Sequence, residues 1–227
     1  LIKLMKKIFY WSPYLSNVAT IRNVLNSAYS LTKYDKKSFN VYILDVIGEW
    51  KNKKNDIKEN NLNYLRVNRL NLNIKLPISG FLKSRIYSLL IFIFNIIPLF
   101  NLLKKERPEY LIVHLLTSIP LTLLFFFNFK TKFVLRISGL PRLNIFRKIL
   151  WKIVNKKLFL ITCPSQETLD YMRNLEIFDN NKLVLLYDPI INISIINKNF
   201  KKNLNLKKDF FLSIGRLTKQ KNHLLLI

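Results

Sequence analysis

Seven short apolar runs alternate with longer stretches whose apolar residues recur at helical spacing, and this alternation confines the chain to an α/β fold, a parallel sheet wrapped by helices. The runs are "KIFYWS", "FNVYILDVI", "LNYLRV", "YLIVHLL", "KFVLRIS", "LFLITCPS" and "KLVLLY". After the first, Ile21, Val24, Leu25, Ala28 and Leu31 line one helical face, with Ser16 or Asn17 available as the cap. "RLNIFRKILWKIVNK" and "QETLDYMRNL" read as later helices, the second with Glu167 in its first turn. Between Asn192 and Lys208 periodicity fades and polarity rises, as in a linker, and a new strand is expected from Asp209. The expected organisation is therefore one Rossmann-like domain over 1–191, a linker over 192–208, and the opening strand, loop and helix start of a truncated second domain over 209–227. Ligands of an open α/β sheet bind beyond the carboxyl ends of the strands, so chemistry is sought in the strand-to-helix loops.

Several chemistries are excluded by what is missing. The four glycines, at 48, 80, 139 and 215, form neither G-x-G-x-x-G, nor a Walker A loop, nor G-x-S-x-G. One cysteine, Cys163, rules out an internal disulfide, and two histidines without an Asp-x-Asp make no metal-ligand cluster. The first residues lack a small-residue cleavage site and run into a patterned helix, so they read as a strand and not as a signal peptide. A net charge of +25 favours anionic partners, although abundant Lys, Asn, Ile and Phe together suggest a compositional bias that adds solvated lysines. Ile86 to Leu103 and Leu111 to Phe129 approach the length of a membrane span. Asn95, Pro98 and Asn101 interrupt the first and Pro120 divides the second, so both are expected to be buried elements, some touching lipid.

Four places carry candidate chemistry, and each also has a plain structural reading. The loop "SPYLSNVATIRNV", with Ser16, Asn17, Ala19 and Thr20, lies where helix N–H groups favour an anion or polar ligand, as in any βα turn. His114 ends an apolar strand, where an imidazole can donate a hydrogen bond, exchange a proton near neutral pH, or simply pack. Arg136 and Ser138 lie at the corresponding edge of the next strand, beside Gly139. In "FFLSIGRLTKQKNHLLLI", Gly215 permits close approach of a phosphate, Arg216 offers planar donors and Lys221 a point charge, while Asn222 can cap the following helix. That set suits a diphosphate, and in so basic a chain it also suits a solvated loop.

"SIGRLTKQKNHLLLI" resembles the first strand, loop and helix of the C-terminal domain in family 4 glycosyltransferases of the GT-B fold. "SPYLSNVATIRNVLNSAYSL", "TCPSQET" and "LYDPII" are similar, in order, to the first loop and helix of the acceptor domain, its closing helix, and the segment leading to the interdomain linker. The resemblance implies two facing Rossmann-like domains and retaining, metal-independent sugar transfer, without a cofactor, from a UDP- or GDP-linked donor to a lipid-linked or polysaccharide acceptor. Gly215, Arg216 and Lys221 would hold the departing diphosphate, His114 would lie beside the sugar, and the leaving phosphate would take the acceptor proton. Ser16-Asn17-Val18-Ala19 stands where many members have a glycine pair, and Asp188-Pro189 where Asn-Gly is common. The family's paired-glutamate segment would lie beyond Ile227, so the chain is expected to be a piece of the enzyme and inactive alone. The expected setting is the cytoplasmic face of a bacterial inner membrane, in surface polysaccharide or lipopolysaccharide synthesis, with the basic surface and the apolar helix from Phe81 held against anionic lipid. Nucleic acid is not an expected partner, because most aromatics fall within apolar runs; a basic nucleic-acid module and a protein with two spans are the rivals.

Overall fold

The computed structural model describes residues 5–15, 19–35, 38–68, 81–141 and 143–190, together with 197, 213, 215 and 222–226. Each of the seven apolar runs forms a strand: β1 (Lys6–Trp11), β2 (Phe39–Asp45), β3 (Asn63–Arg66), β4 (Tyr110–Val113), β5 (Lys132–Arg136), β6 (Leu160–Cys163) and β7 (Leu183–Leu185). They pair in parallel in the order β3-β2-β1-β4-β5-β6-β7. The register sets Trp11 of β1 beside Leu44 of β2 on one flank and Val113 of β4 on the other.

Helices fill the crossovers: α1 (Ala19–Tyr34), α2 (Lys54–Glu59), α3 (Phe81–Glu106), α4 (Ser118–Phe126), α5 (Ile145–Val154) and α6 (Gln166–Asn174). The chain winds outward from β1 to β3, returns through α3 to β4, and then winds the other way. Right-handed crossovers therefore place α1 and α2 on one face and α3 to α6 on the other. The two-residue alternation of β1 matches this division. Ile8 and Tyr10 join Val24 and Ala28 of α1 and Ile57 of α2. Phe9 and Trp11 join Ile91, Leu99 and Leu103 of α3, Leu121 and Leu124 of α4, and Trp151 and Val154 of α5. Side chains cap two of these helices: that of Asn144 accepts from Arg147 N at the start of α5, and that of Ser165 from Thr168 N at the start of α6.

The topology places both apolar segments within the body of the sheet and its crossovers. Arg85–Glu106 is long and apolar enough to cross a membrane. It nonetheless joins β3 to β4, strands of one sheet, so it must run back along that sheet with Ile91, Leu99 and Leu103 packed inward. The second segment splits into β4 and the nine-residue α4, about 14 Å long and far short of a bilayer core. Burial of the first segment, however, is one-sided. Leu89, Ile93 and Ile97 of α3 are 55–65% exposed, and 22% of the apolar stretch is buried.

The chain divides into two compact units, Leu1–Ile190 and Ile191–Ile227. In the second, nearly all of the expected strand from Asp209 and of the expected linker lies outside the described residues. The helix expected at "HLLLI" is instead a 3-10 turn, His223–Leu226. Asn222 has φ +46°, a left-handed conformation, whereas an N-cap needs an extended one, so it does not cap an α-helix.

Candidate functional site at the reversal of strand order

The order of the sheet reverses between β1 and β4, the position at which an open α/β sheet commonly offers a crevice beyond its carboxyl ends. Ser12 leaves β1 and His114 leaves β4 side by side, since His114 N donates to the Trp11 carbonyl at 2.9 Å. Trp11 Nε1 in turn donates to the Leu116 carbonyl at 3.3 Å, which fixes the start of the β4–α4 loop. Leu116 itself has φ +46°. The Tyr10 ring stacks on His114 at 6.0 Å, and the Tyr10 hydroxyl lies 2.8 Å from Ser27 Oγ of α1. Ser12 is fully buried and its Oγ has no hydrogen-bond partner. A buried hydroxyl without a partner carries a desolvation cost that a bound polar ligand would relieve. A lone serine after a strand gives no sequence pattern, which is why Ser12 is absent from the expected contacts.

His114 is 6% exposed. Burial, and second the positive charge of Arg136, push its pKa down to about 3. A pKa so lowered holds the ring neutral at pH 7, with one nitrogen able to donate and the other to accept. The linkage has a definite sign. Unfolded His114 takes up a proton near pH 6.5 and the folded one near 3, so the full stability contribution is present above about 6.5 and is lost as the pH falls toward 3. We predict that denaturant titrations of the wild type lose up to about 1.4 kcal/mol per pH unit across this window relative to His114→Gln. Equal slopes in the two proteins would show that the imidazole is not held neutral.

Arg136, expected at the cleft, is committed to the protein itself. Its Nη1 donates to the Leu186 carbonyl and its Nη2 to Asp188 Oδ1, both at 2.5 Å. The segment after β7 continues to α1, where Asn26 Nδ2 donates to the Pro189 carbonyl at 2.6 Å. The segment from Leu186 to Pro189 therefore straps the carboxyl edge of the sheet to α1. Ser138 is exposed. Gly139 has φ +129° with open space where a Cβ would lie, so glycine is needed there for the backbone path and not for close approach. Ala19 is exposed and Thr20 half-buried in the first turn of α1, while Ser16 and Asn17 lie outside the described residues. Gly215 is exposed; Arg216 and Lys221 also lie outside them.

A second polar cluster sits at the end of β2. Asp45, fully buried, accepts from Gly48 N at 3.0 Å, Trp50 N at 3.1 Å and the Tyr64 hydroxyl, with Arg66 Nη1 at 3.7 Å. The Glu49 carboxyl accepts from Ile47 N at 2.8 Å, and burial beside the Asp45 carboxylate holds its pKa well above the usual range. Among the described residues no three His, Cys, Asp or Glu side chains gather as a metal site. Cys163 is buried, and burial raises its thiol pKa. A groove of about 470 Å³ lined by Val67, Asn68, Pro98, Asn101, Leu102 and Lys105 shares no residue with the crevice.

No protein-family model and no curated protein matches the sequence. Solved structures do match. A glycosyltransferase from Rickettsia africae superposes with a TM-score of 0.52 over 81% of this chain at 14% identity. The fold is of the GT-B type. A UDP-GlcNAc 2-epimerase from Neisseria meningitidis bound to UDP-GlcNAc gives 0.51 over 86% at 14% identity. An Anabaena protein in complex with UDP and glucose gives 0.51 over 81% at 8%. The chain spans 43%, 50% and 44% of the length of these three proteins. At such identities the likeness concerns the fold alone, and it is a fold shared by a transferase and an epimerase.

Proposed function

We propose that the chain supplies the acceptor-side domain, and the start of the donor-side domain, of a retaining glycosyltransferase that uses a nucleotide-linked hexose. The observation that carries this reading is the polar floor at the strand-order reversal, where unpartnered Ser12 and neutral His114 lie together in a GT-B-type sheet. A neutral imidazole suits hydrogen bonding to a sugar hydroxyl, without a role as proton carrier. In the proposed reaction the bond from the sugar anomeric carbon to the diphosphate breaks and one to an acceptor hydroxyl forms. The acceptor proton passes to the departing diphosphate. Arg216 and Lys221 neutralise that leaving group, a task fixed cations perform as a metal ion does elsewhere. Family 4 membership, a lipid-linked or polysaccharide acceptor, and a bacterial setting belong to the same proposal, supported by the order of the motifs along the chain.

The test is acceptor dependence in an enzyme that joins this chain to a complete donor-side domain. Release of UDP or GDP from the nucleotide sugar is expected only when a glycan or lipid-linked acceptor is present, and Arg216→Ala or Lys221→Ala should weaken donor binding roughly tenfold, read by calorimetry. Conversion of UDP-GlcNAc to its 2-epimer without any acceptor would replace the transferase reading with an epimerase one.

A further inference from the structure

We propose that the outer sides of α3, α4 and α5 form a docking face for a bilayer containing anionic lipid, with α5 as its amphipathic edge. The α5 helix carries two apolar stripes. The inner one, Trp151 and Val154 with half-buried Leu150, packs on the sheet side. The outer one, Ile145, Phe146, Ile149 and Ile153, follows helical spacing on the opposite side and is 50–83% exposed. A second stripe on a helix whose core contact is already made has no use in holding the helix to its own domain.

Exposed apolar residues also occur on the two neighbouring helices. The α4 helix packs between α3 and α5. Phe125, Phe126 and Phe127 emerge at its end, with the Phe127 ring 4.5 Å from Phe100 of α3. Lys157, just past α5, donates to the Phe125 and Phe127 carbonyls at 3.1 and 3.5 Å, so the basic end of α5 meets the aromatic end of α4. Leu89, Ile93 and Ile97 extend the surface along α3. An apolar patch of this spread marks an interaction surface.

Charge selects the occupant. No Asp or Glu occurs between Glu109 and Glu167, the stretch that contains α4 and α5, nor between Glu59 and Glu106, the stretch that contains α3 up to its last residue. Exposed Arg147, Lys148 and Lys152 flank the outer stripe of α5, Lys156 and Lys157 follow it, and Lys104 and Lys105 end α3. Insertion of Ile and Phe below a rim in which cations predominate matches acyl chains beneath anionic headgroups. This inference is independent of the catalytic reading, since vesicle binding needs neither donor nor acceptor.

The experiment is flotation of the whole chain with vesicles of phosphatidylcholine alone or mixed with phosphatidylglycerol. The wild type is expected to float with the mixed vesicles, less as salt is added, and poorly with phosphatidylcholine alone. Phe146→Ser with Ile149→Ser should weaken binding about a hundredfold, and Lys148→Glu with Lys152→Glu roughly tenfold or more. All four side chains are exposed, so both double variants should melt with the wild type. In a second readout, Phe146→Trp should shift its emission to the blue on the anionic vesicles, against native Trp11, Trp50 and Trp151, all buried. Failure of the wild type to float, equal binding to both vesicles, or wild-type binding by the double variants would each overturn the proposal. So would self-association abolished by Phe146→Ser with Ile149→Ser in a protein that ignores vesicles, because the face would then belong to a second copy.

Discussion

Asp188→Ala is expected to destabilise the protein by about 3–5 kcal/mol, far more than its position in a loop after the last strand would suggest. Arg136 is 5% exposed at the end of β5, and its guanidinium has two partners, the Leu186 carbonyl and Asp188. Without the carboxylate, a buried cation would face the neutral ring of His114 and a single carbonyl. Arg136→Ala should cost less, because the carboxylate it leaves behind is 24% exposed and can take water. Asp188→Asn should fall between the wild type and Asp188→Ala, since it keeps an acceptor and loses the charge. Urea denaturation measures the order, and a fall in Tm of about 10 °C for Asp188→Ala is the matching thermal result. Arg136→Met should also raise the titration of His114, by removing the second cause of its depression. If Asp188→Ala lies within about 0.5 kcal/mol of the wild type, the strap across the sheet edge does not hold Arg136 in solution.

What the sequence discloses of this molecule follows the range of the forces involved. Strands such as "FNVYILD" announce themselves because a sheet covered on both faces needs short apolar β-branched runs. The strand-order reversal is not so accessible, because right-handed crossovers limit the windings of seven strands without choosing among them. Arg136 is different. Its partner Asp188 is 52 residues away, and no local pattern distinguishes an arginine held by a strap from one lining a cleft. His114 shows the same limit, for its place after an apolar strand is legible but its titration depends on burial and on the charge of Arg136.

The α3 helix misleads for another reason. A helix apolar all round has no polar side to mark the solvent, so its sequence reads as buried although Leu89, Ile93 and Ile97 are exposed. On α5 the outer stripe is legible in hindsight from spacing, yet it competes with the inner stripe for the same periodic signal. Only the sheet, by taking Trp151 and Val154, shows which stripe is left over.

Asp45 and Glu49 should respond to substitution in opposite ways, although both are carboxylates in one turn after β2. Asp45→Ala is expected to cost about 3–5 kcal/mol. It strips an acceptor from Gly48 N, Trp50 N and the Tyr64 hydroxyl at once, and takes the counter-charge from Arg66. Glu49 is raised, by burial first and by hydrogen bonding to Asp45 second, so its folded pKa lies above its unfolded value near 4.5. Its contribution is therefore complete below that unfolded pKa and is lost as the pH rises through the folded one. Glu49→Gln mimics the protonated acid, with a carbonyl for Ile47 N and an amide to donate toward Asp45, and cannot ionise. This variant should be as stable as the wild type at acid pH and more stable as the pH rises past the carboxylate range. Denaturation curves collected from pH 4 to pH 9 test both claims in one series. A Glu49→Gln protein that loses stability relative to the wild type with rising pH would show that Glu49 is an ordinary ionised carboxylate and that Asp45 does not share its turn with a neutral acid.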